Sequence, residues 1–178
     1  MQNSTSLVET PTIKRRLISL VYEAFLVAAV VMLGLGLFLA IAKPFDPSLQ
    51  GTMVVRGRTL VLFLVAGAYL IKCWTGSGHT LAMKTWRIKL VKVGYADVPF
   101  KAAFWRYVYA WGWILPALLI SYAAGLKPGA AAALVAVGVL AWAMTALLDK
   151  DRQFLHDRLA GTRLILLPKA VKTAKVTK

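Results

Sequence analysis

The sequence predicts an all-α transmembrane fold: a four-helix bundle with both termini in the cytoplasm and a small two-stranded β element on the cytoplasmic side. Three observations carry this expectation. Of 178 residues, 59% are hydrophobic and only 16% are charged, whereas ordinary globular chains are about a quarter charged. The apolar residues are gathered into four runs. The 22 Lys and Arg residues fall almost entirely between those runs, where anionic lipid headgroups are a sufficient partner.

Residues 1–13 read as a flexible N-terminal tail containing Pro11. Lys14, Arg15 and Arg16 then open an apolar run over 17–42, broken only by Glu23. At 1.5 Å per residue this run is about 39 Å long, enough to cross a hydrocarbon core of roughly 30 Å with tilt. A cleaved secretory leader is the competing reading, with Ala40-Ile41-Ala42 as its processing site. The run is too long for that and carries an acid. The second segment has 13 uncharged residues from Thr59 to Ile71. It reaches crossing length over 58–74 if Arg58 and Lys72 extend to the headgroups and Trp74 lies at the interface.

A third span is expected over 107–125, with Tyr107, Tyr109, Trp111 and Trp113 as an aromatic belt and a kink at Pro116. The turn Lys127-Pro128-Gly129 is too short for a domain. It makes a tight hairpin with a fourth span over 130–148, where Ala132, Ala136, Gly138 and Ala141 permit close helix approach. Charge placement orients the chain. Three Lys or Arg before the first span, at 14–16, seven over 72–106 and eight after 148 stand against three over 43–58 and one over 126–129. The heavier set faces the cytoplasm by the positive-inside rule. An even number of spans follows, which supports a full crossing by the second.

Between the second and third spans, T-W-R-I-K-L-V-K-V over 85–93 alternates apolar and polar residues as a half-buried strand does. A second strand is expected over 161–167. Two strands alone are marginal in water, so they should pair while resting on the bundle or the lipid surface. After Pro168, four lysines in ten residues make a basic C-terminal tail over 168–178.

Glu23 is the sharpest functional signal, because an acid inside a membrane helix is costly and marks a functional site by default. It reads either as a proton or cation relay or as a polar clamp between helices. Arg16 lies on nearly the same face but about 10 Å away, which leaves Arg106 and Arg58 as its expected partners. Asp149, Asp151, Arg152, His156, Asp157 and Arg158 follow the fourth span. On a helix, Asp149, Gln153, His156 and Asp157 would share a face, as a salt-linked cap or an ion site. His79 lies in a Gly-rich turn, W-T-G-S-G-H-T, which reads as a connection or as an anion cradle. No nucleotide-binding, metalloprotease or serine-hydrolase motif is present. The single cysteine, Cys73, excludes an intramolecular disulfide framework. An enzyme, a cofactor and a nucleic-acid partner are therefore not expected.

These residues resemble the RDD family of bacterial membrane proteins, named for one arginine and two aspartates, over about residues 14–167. Arg16 in R-R-L-I-S-L-V-Y-E matches the family arginine, and Glu23 stands where the first aspartate is usual. Asp157 in D-K-D-R-Q-F-L-H-D-R-L-A-G-T-R-L matches the second. Asp149, His156 and Gly161 fit the same pattern, and Arg106 falls where the family tends to carry an arginine. The segment G-H-T-L-A-M-K-T-W-R-I-K-L-V is similar too, with Ala82 in place of a common glycine. The resemblance implies a bacterial plasma-membrane location and a functional polar network of Arg16, Glu23, Arg106, Asp149, His156 and Asp157. It also implies, more loosely, transport of an ion or solute; four short helices offer little interior, so a transporter would form its pathway as a homo-oligomer. The competing expectation is a non-transporting scaffold or assembly factor that binds a protein or anionic lipid through its basic face.

Overall fold

A computed structural model describes residues 9–45, 51–95, 97–149 and 153–168. The basic C-terminal tail beyond 168, together with Asp151 and Arg152, lies outside the described residues. Helix α1 runs over Ile13–Ala42, with the Thr12 hydroxyl accepting from Arg15 N at its start. Helix α2 (Thr52–Gly76) follows and packs along α1. It is longer than the apolar segment suggested, because Arg56 and Arg58 are good helix formers that extend its first turns rather than end it.

A short helix α3 (Leu81–Thr85) leads into strand β1 (Ile88–Lys92), and α4 (Phe100–Ala110) turns back along α2. A 3-10 turn at Trp111–Trp113 separates α4 from α5 (Ile114–Ala123). Helix α6 (Pro128–Met144) forms a hairpin with α5, and α7 (Leu155–Ala160) and strand β2 (Thr162–Leu166) close the described chain.

Among the described residues, three helical stretches are long and apolar enough to cross a membrane: Ile13–Ala42, Val54–Gly76 and Pro128–Leu147. This corrects the four-helix bundle. The expected third span is divided at Trp111–Trp113 into helices of 11 and 10 residues, each short of the roughly 20 a crossing needs. Pro116 accounts for the position of the break. A proline ring excludes the carbonyl four residues earlier from the regular helical bond, and that carbonyl belongs to Gly112, inside the 3-10 turn.

The odd number of candidate spans also overturns the placement of both termini in the cytoplasm, which depended on an even count. Within the folded chain, Leu166 N nevertheless donates to Glu9 O at 2.8 Å.

The two expected strands do pair. They are antiparallel, with Ile88 opposite Leu166, Leu90 opposite Leu164 and Lys92 opposite Thr162. Ile88, Leu90 and Leu164 are buried on one face. Gly161 has φ +65° and caps α7, its N–H donating to Arg158 O. This left-handed conformation costs glycine nothing and turns the chain directly into β2.

The core lies at this end of the molecule, where Ala66 and Trp74 of α2, Met83 of α3, the sheet, and Ala102, Ala103 and Tyr107 of α4 pack together. The rest of the long helices is bare. Phe25, Leu33 and Leu140 are at least 65% exposed, as lipid-facing positions are. Helix α4 is held against α2 by Tyr107, whose hydroxyl donates to Phe63 O at 2.6 Å. A Cβ at Gly67 would stand 2.8 Å from the Tyr107 ring. Since the hydroxyl bond fixes that ring, Gly67→Ala should cost about 1–3 kcal/mol by overpacking. The expected readout is a lower thermal midpoint of the purified protein in detergent, with Gly36→Ala, where a Cβ meets nothing within 4 Å, as the neutral comparison.

Candidate functional site

The site is built where α4, α7 and the start of α1 meet beneath the sheet. Arg106 projects from α4 and Asp157 from the first turn of α7. Arg106 Nε donates to Asp157 Oδ1 at 2.7 Å, and the Asp157 side chain is fully buried. The guanidinium lies 4.1 Å from the centre of the Trp74 ring, so the ring's negative face supports the charge that the carboxylate neutralises. Trp74 is thus buried under Arg106 rather than standing at an interface. Thr162 Oγ1, at the start of β2, is 3.3 Å from both Asp157 Oδ1 and Asp157 O.

His156 adjoins this pair. Its Nδ1 accepts from Trp142 Nε1 at 3.1 Å, which places the proton of the neutral ring on Nε2. That atom faces Asp157 Oδ2 at 3.6 Å, beyond hydrogen-bond distance. The ring lies nearly parallel to those of Phe154 and Trp142. Burial pushes the imidazole down to about 4, partly opposed by the Asp157 charge and reinforced by Arg106. Burial alone would raise the Asp157 carboxyl, but the Arg106 charge, supported by Arg16, overrides this and holds it below the usual carboxylate range.

Arg16 enters from the first turn of α1. It is buried, its guanidinium is 5.9 Å from the centre of the Phe154 ring, and it senses the charges of Asp157 and Asp149. Asp149 and His156 do not share a continuous helix, since the described chain resumes at Gln153 outside any helix and α7 begins at Leu155. Asp149 Oδ2 instead accepts from Gln153 N at 2.9 Å, and Oδ1 lies 3.5 Å from the exposed Arg158. Gln153 in turn accepts from Leu164 N at 3.2 Å through Oε1, tying the acidic turn to β2. Among the described residues, no three His, Cys, Asp or Glu side chains are grouped to hold a metal ion.

Glu23 lies at the margin of this network, one layer along α1. Its Oε2 accepts from the Thr80 hydroxyl, and Arg106 acts on it by charge. It does not meet Arg58, whose neighbour Gly57 packs against Phe38, about 22 Å further along α1 at 1.5 Å per residue. Thr80 is buried and also accepts from Met83 N at 3.2 Å, so one hydroxyl both caps α3 and binds Glu23. On α2 the Tyr69 hydroxyl adjoins the Glu23 carboxyl as a further neutral hydrogen-bond partner, with Cys73 beside it. The Gly-rich turn before Thr80 serves the fold. Gly78 has φ +75°, its carbonyl accepts from Leu90 N at 2.6 Å, and a Cβ there would meet Leu90 O at 2.8 Å.

Sequence reasoning named Arg16, Glu23, Arg106, Asp149, His156 and Asp157 and grouped Gln153 with the last three, but it did not place Trp74, Thr80, Trp142 or Thr162 beside them. Thr80 was the one with a local signal, a threonine placed to cap the helix that follows.

Asp157→Asn would leave Arg106 buried without its counter-charge, and should cost about 3–5 kcal/mol. The loss of folded protein on size exclusion reads this out. Arg158→Gln, at the exposed partner of Asp149, should change stability by less than about 1 kcal/mol.

The pH dependence has two windows. His156 is harder to protonate folded than unfolded, so between its ordinary value of 6.5 and about 4 the unfolded state binds more protons. Stability from this group is full above that window and falls as pH is lowered through it. Asp157 has a depressed folded value, so its contribution is present above the ordinary carboxylate range and is lost at still lower pH. A thermal-midpoint series from pH 7 to 4 should slope downward, and His156→Gln should flatten that slope.

The structure therefore joins a polar network at one end of the molecule to helices that are bare and apolar along most of their length. No curated protein and no solved structure matches the chain in the comparisons made. The RDD family model matches residues 10–161, an interval that contains every side chain of the network except Thr162. The chain is an integral membrane protein and belongs to the RDD family.

Proposed function

We propose that the chain is a small proton- or cation-translocating membrane protein in which Glu23 is the exchanging group. The observation that carries this reading is the contrast between its two buried acids. Asp157 is fully buried and fixed by Arg106, an arrangement suited to permanent charge. Glu23 sits inside a membrane-crossing helix, and its hydrogen-bond partners are neutral hydroxyls, those of Thr80 and of Tyr69 on α2. An acid held this way can take up and release a proton, or coordinate a small cation, without breaking an ion pair. Arg106 would set how readily Glu23 ionises, and Arg16, Asp149, His156 and Asp157 would hold Arg106 in place.

A second reading has its own support. Arg87, Lys89, Lys92 and Arg163 lie on or beside the two-stranded sheet, and the chain carries a formal charge of +15. Such a face suits a scaffold that binds an acidic protein or anionic headgroups. The Glu23→Gln variant separates the two. In liposomes loaded with a proton-sensitive dye, under imposed sodium, potassium and pH gradients, wild type should move protons and Glu23→Gln should lose at least about 90% of that flux. Equal flux from both would remove Glu23 from the pathway. No flux from folded wild type would favour the scaffold.

A further inference from the structure

Helices α2 and α4 enclose a groove of about 400 Å³ at the surface of the molecule, within the roughly 300–1,000 Å³ usual for small-molecule sites. Its walls are apolar and aromatic, with Phe63, Leu64 and Ala68 on α2 facing Phe104 and Tyr107 on α4. Lys72, exposed, and Thr75 stand at one end. The distance from Leu64 to Lys72 along α2 is about 12 Å, so the groove is elongated and parallel to a membrane-crossing helix. One end is positive and the rest is greasy. The first turn of α4, carrying Lys101 and the positive pole of that helix, lies at the same end as Lys72. Leu64 and Phe104 are exposed along the groove, so it is open to the surroundings of α2.

We infer that this groove is a specific site for one anionic phospholipid, its acyl chain lying between Phe63 and Phe104 and its phosphate on the Lys72 ammonium. A zwitterionic lipid offers the same chain and phosphate, but its headgroup cation cancels the phosphate charge and is repelled by Lys72, so Lys72 favours the anionic class. The floor is preformed, because the Tyr107 hydroxyl bond to Phe63 O holds the two helices at fixed separation. Neither Arg106, Asp157 nor Glu23 lines the groove, so the site is separate from any transport through Glu23.

Native mass spectrometry of the full chain in detergent tests this, with phosphatidylglycerol and phosphatidylcholine of matched chains added in equal amounts. Wild type should retain phosphatidylglycerol at least threefold over phosphatidylcholine. Lys72→Gln should bring that ratio close to one, whereas Lys127→Gln, on the remote α5–α6 turn, should leave it unchanged. Ala68→Phe, which fills the groove, should reduce retention of both lipids. Glycerol phosphate at millimolar concentration should not displace the bound lipid.

Equal retention of both lipids by wild type, or an equal effect of Lys127→Gln, would overturn the site in favour of general surface charge. Displacement by glycerol phosphate would overturn the role of the apolar walls. A change of oligomeric state in Ala68→Phe with lipid retention intact would assign the groove to a second copy of the chain.

Discussion

The buried ion pair between Arg106 and Asp157 is the constraint around which the folded end of this protein is arranged. A charged pair removed from water is costly unless its partners face each other at close range and are supported by neighbours, and here the pair is close and each partner is flanked on more than one side. Trp74 covers the guanidinium, Thr162 adjoins the carboxylate, and His156 and Arg16 complete the surroundings. These contributors come from α1, α2, α4, α7 and β2. The pair therefore fixes the relation of nearly every element at that end, and where most of the apolar area along the helices faces lipid, burial alone would fix it less well.

Glu23 belongs to the same construction but stands outside its tightest part. Its tie to Thr80 connects the first membrane helix to the short helix leading into the sheet. The Gly78 carbonyl bond to Leu90 carries that connection into β1. A change in the Glu23 carboxyl therefore has a short covalent and hydrogen-bonded route to the two-stranded sheet, running through a turn whose geometry requires glycine.

What was legible in the sequence follows from the range of the interactions. The strands were readable because Ile88 and Leu90 alternate with Lys89 and Val91 within a few residues. Glu23 was readable because a lone acid in an apolar run is a local anomaly. Arg106 and Asp157 were both selected, but their pairing across 51 positions leaves no mark in either neighbourhood. Nor does Trp74 announce a buried cation in place of an interfacial position, because an indole beside a lysine suits both. The second helix was underestimated because hydropathy stops at Arg58 while helix propensity does not. The third expected span failed for a different reason. Its composition is apolar throughout, but Pro116 acts four residues upstream of itself, at a backbone carbonyl that a hydropathy reading does not register.

The bond between Leu166 and Glu9 bears on the order in which this molecule can assemble. The earliest described residues and the latest are neighbours in the finished structure, and Asp157, Gln153 and β2 all lie beyond α6. Arg106, Trp74 and Thr80 are made long before the carboxylate and strand that complete their surroundings. Until then β1 has an unpaired edge and Arg106 has no counter-charge. Contacts this distant along the chain carry a high loop-closure cost, so the polar end cannot be completed by any part of the chain short of β2, and its closure requires the first helix and the last strand together.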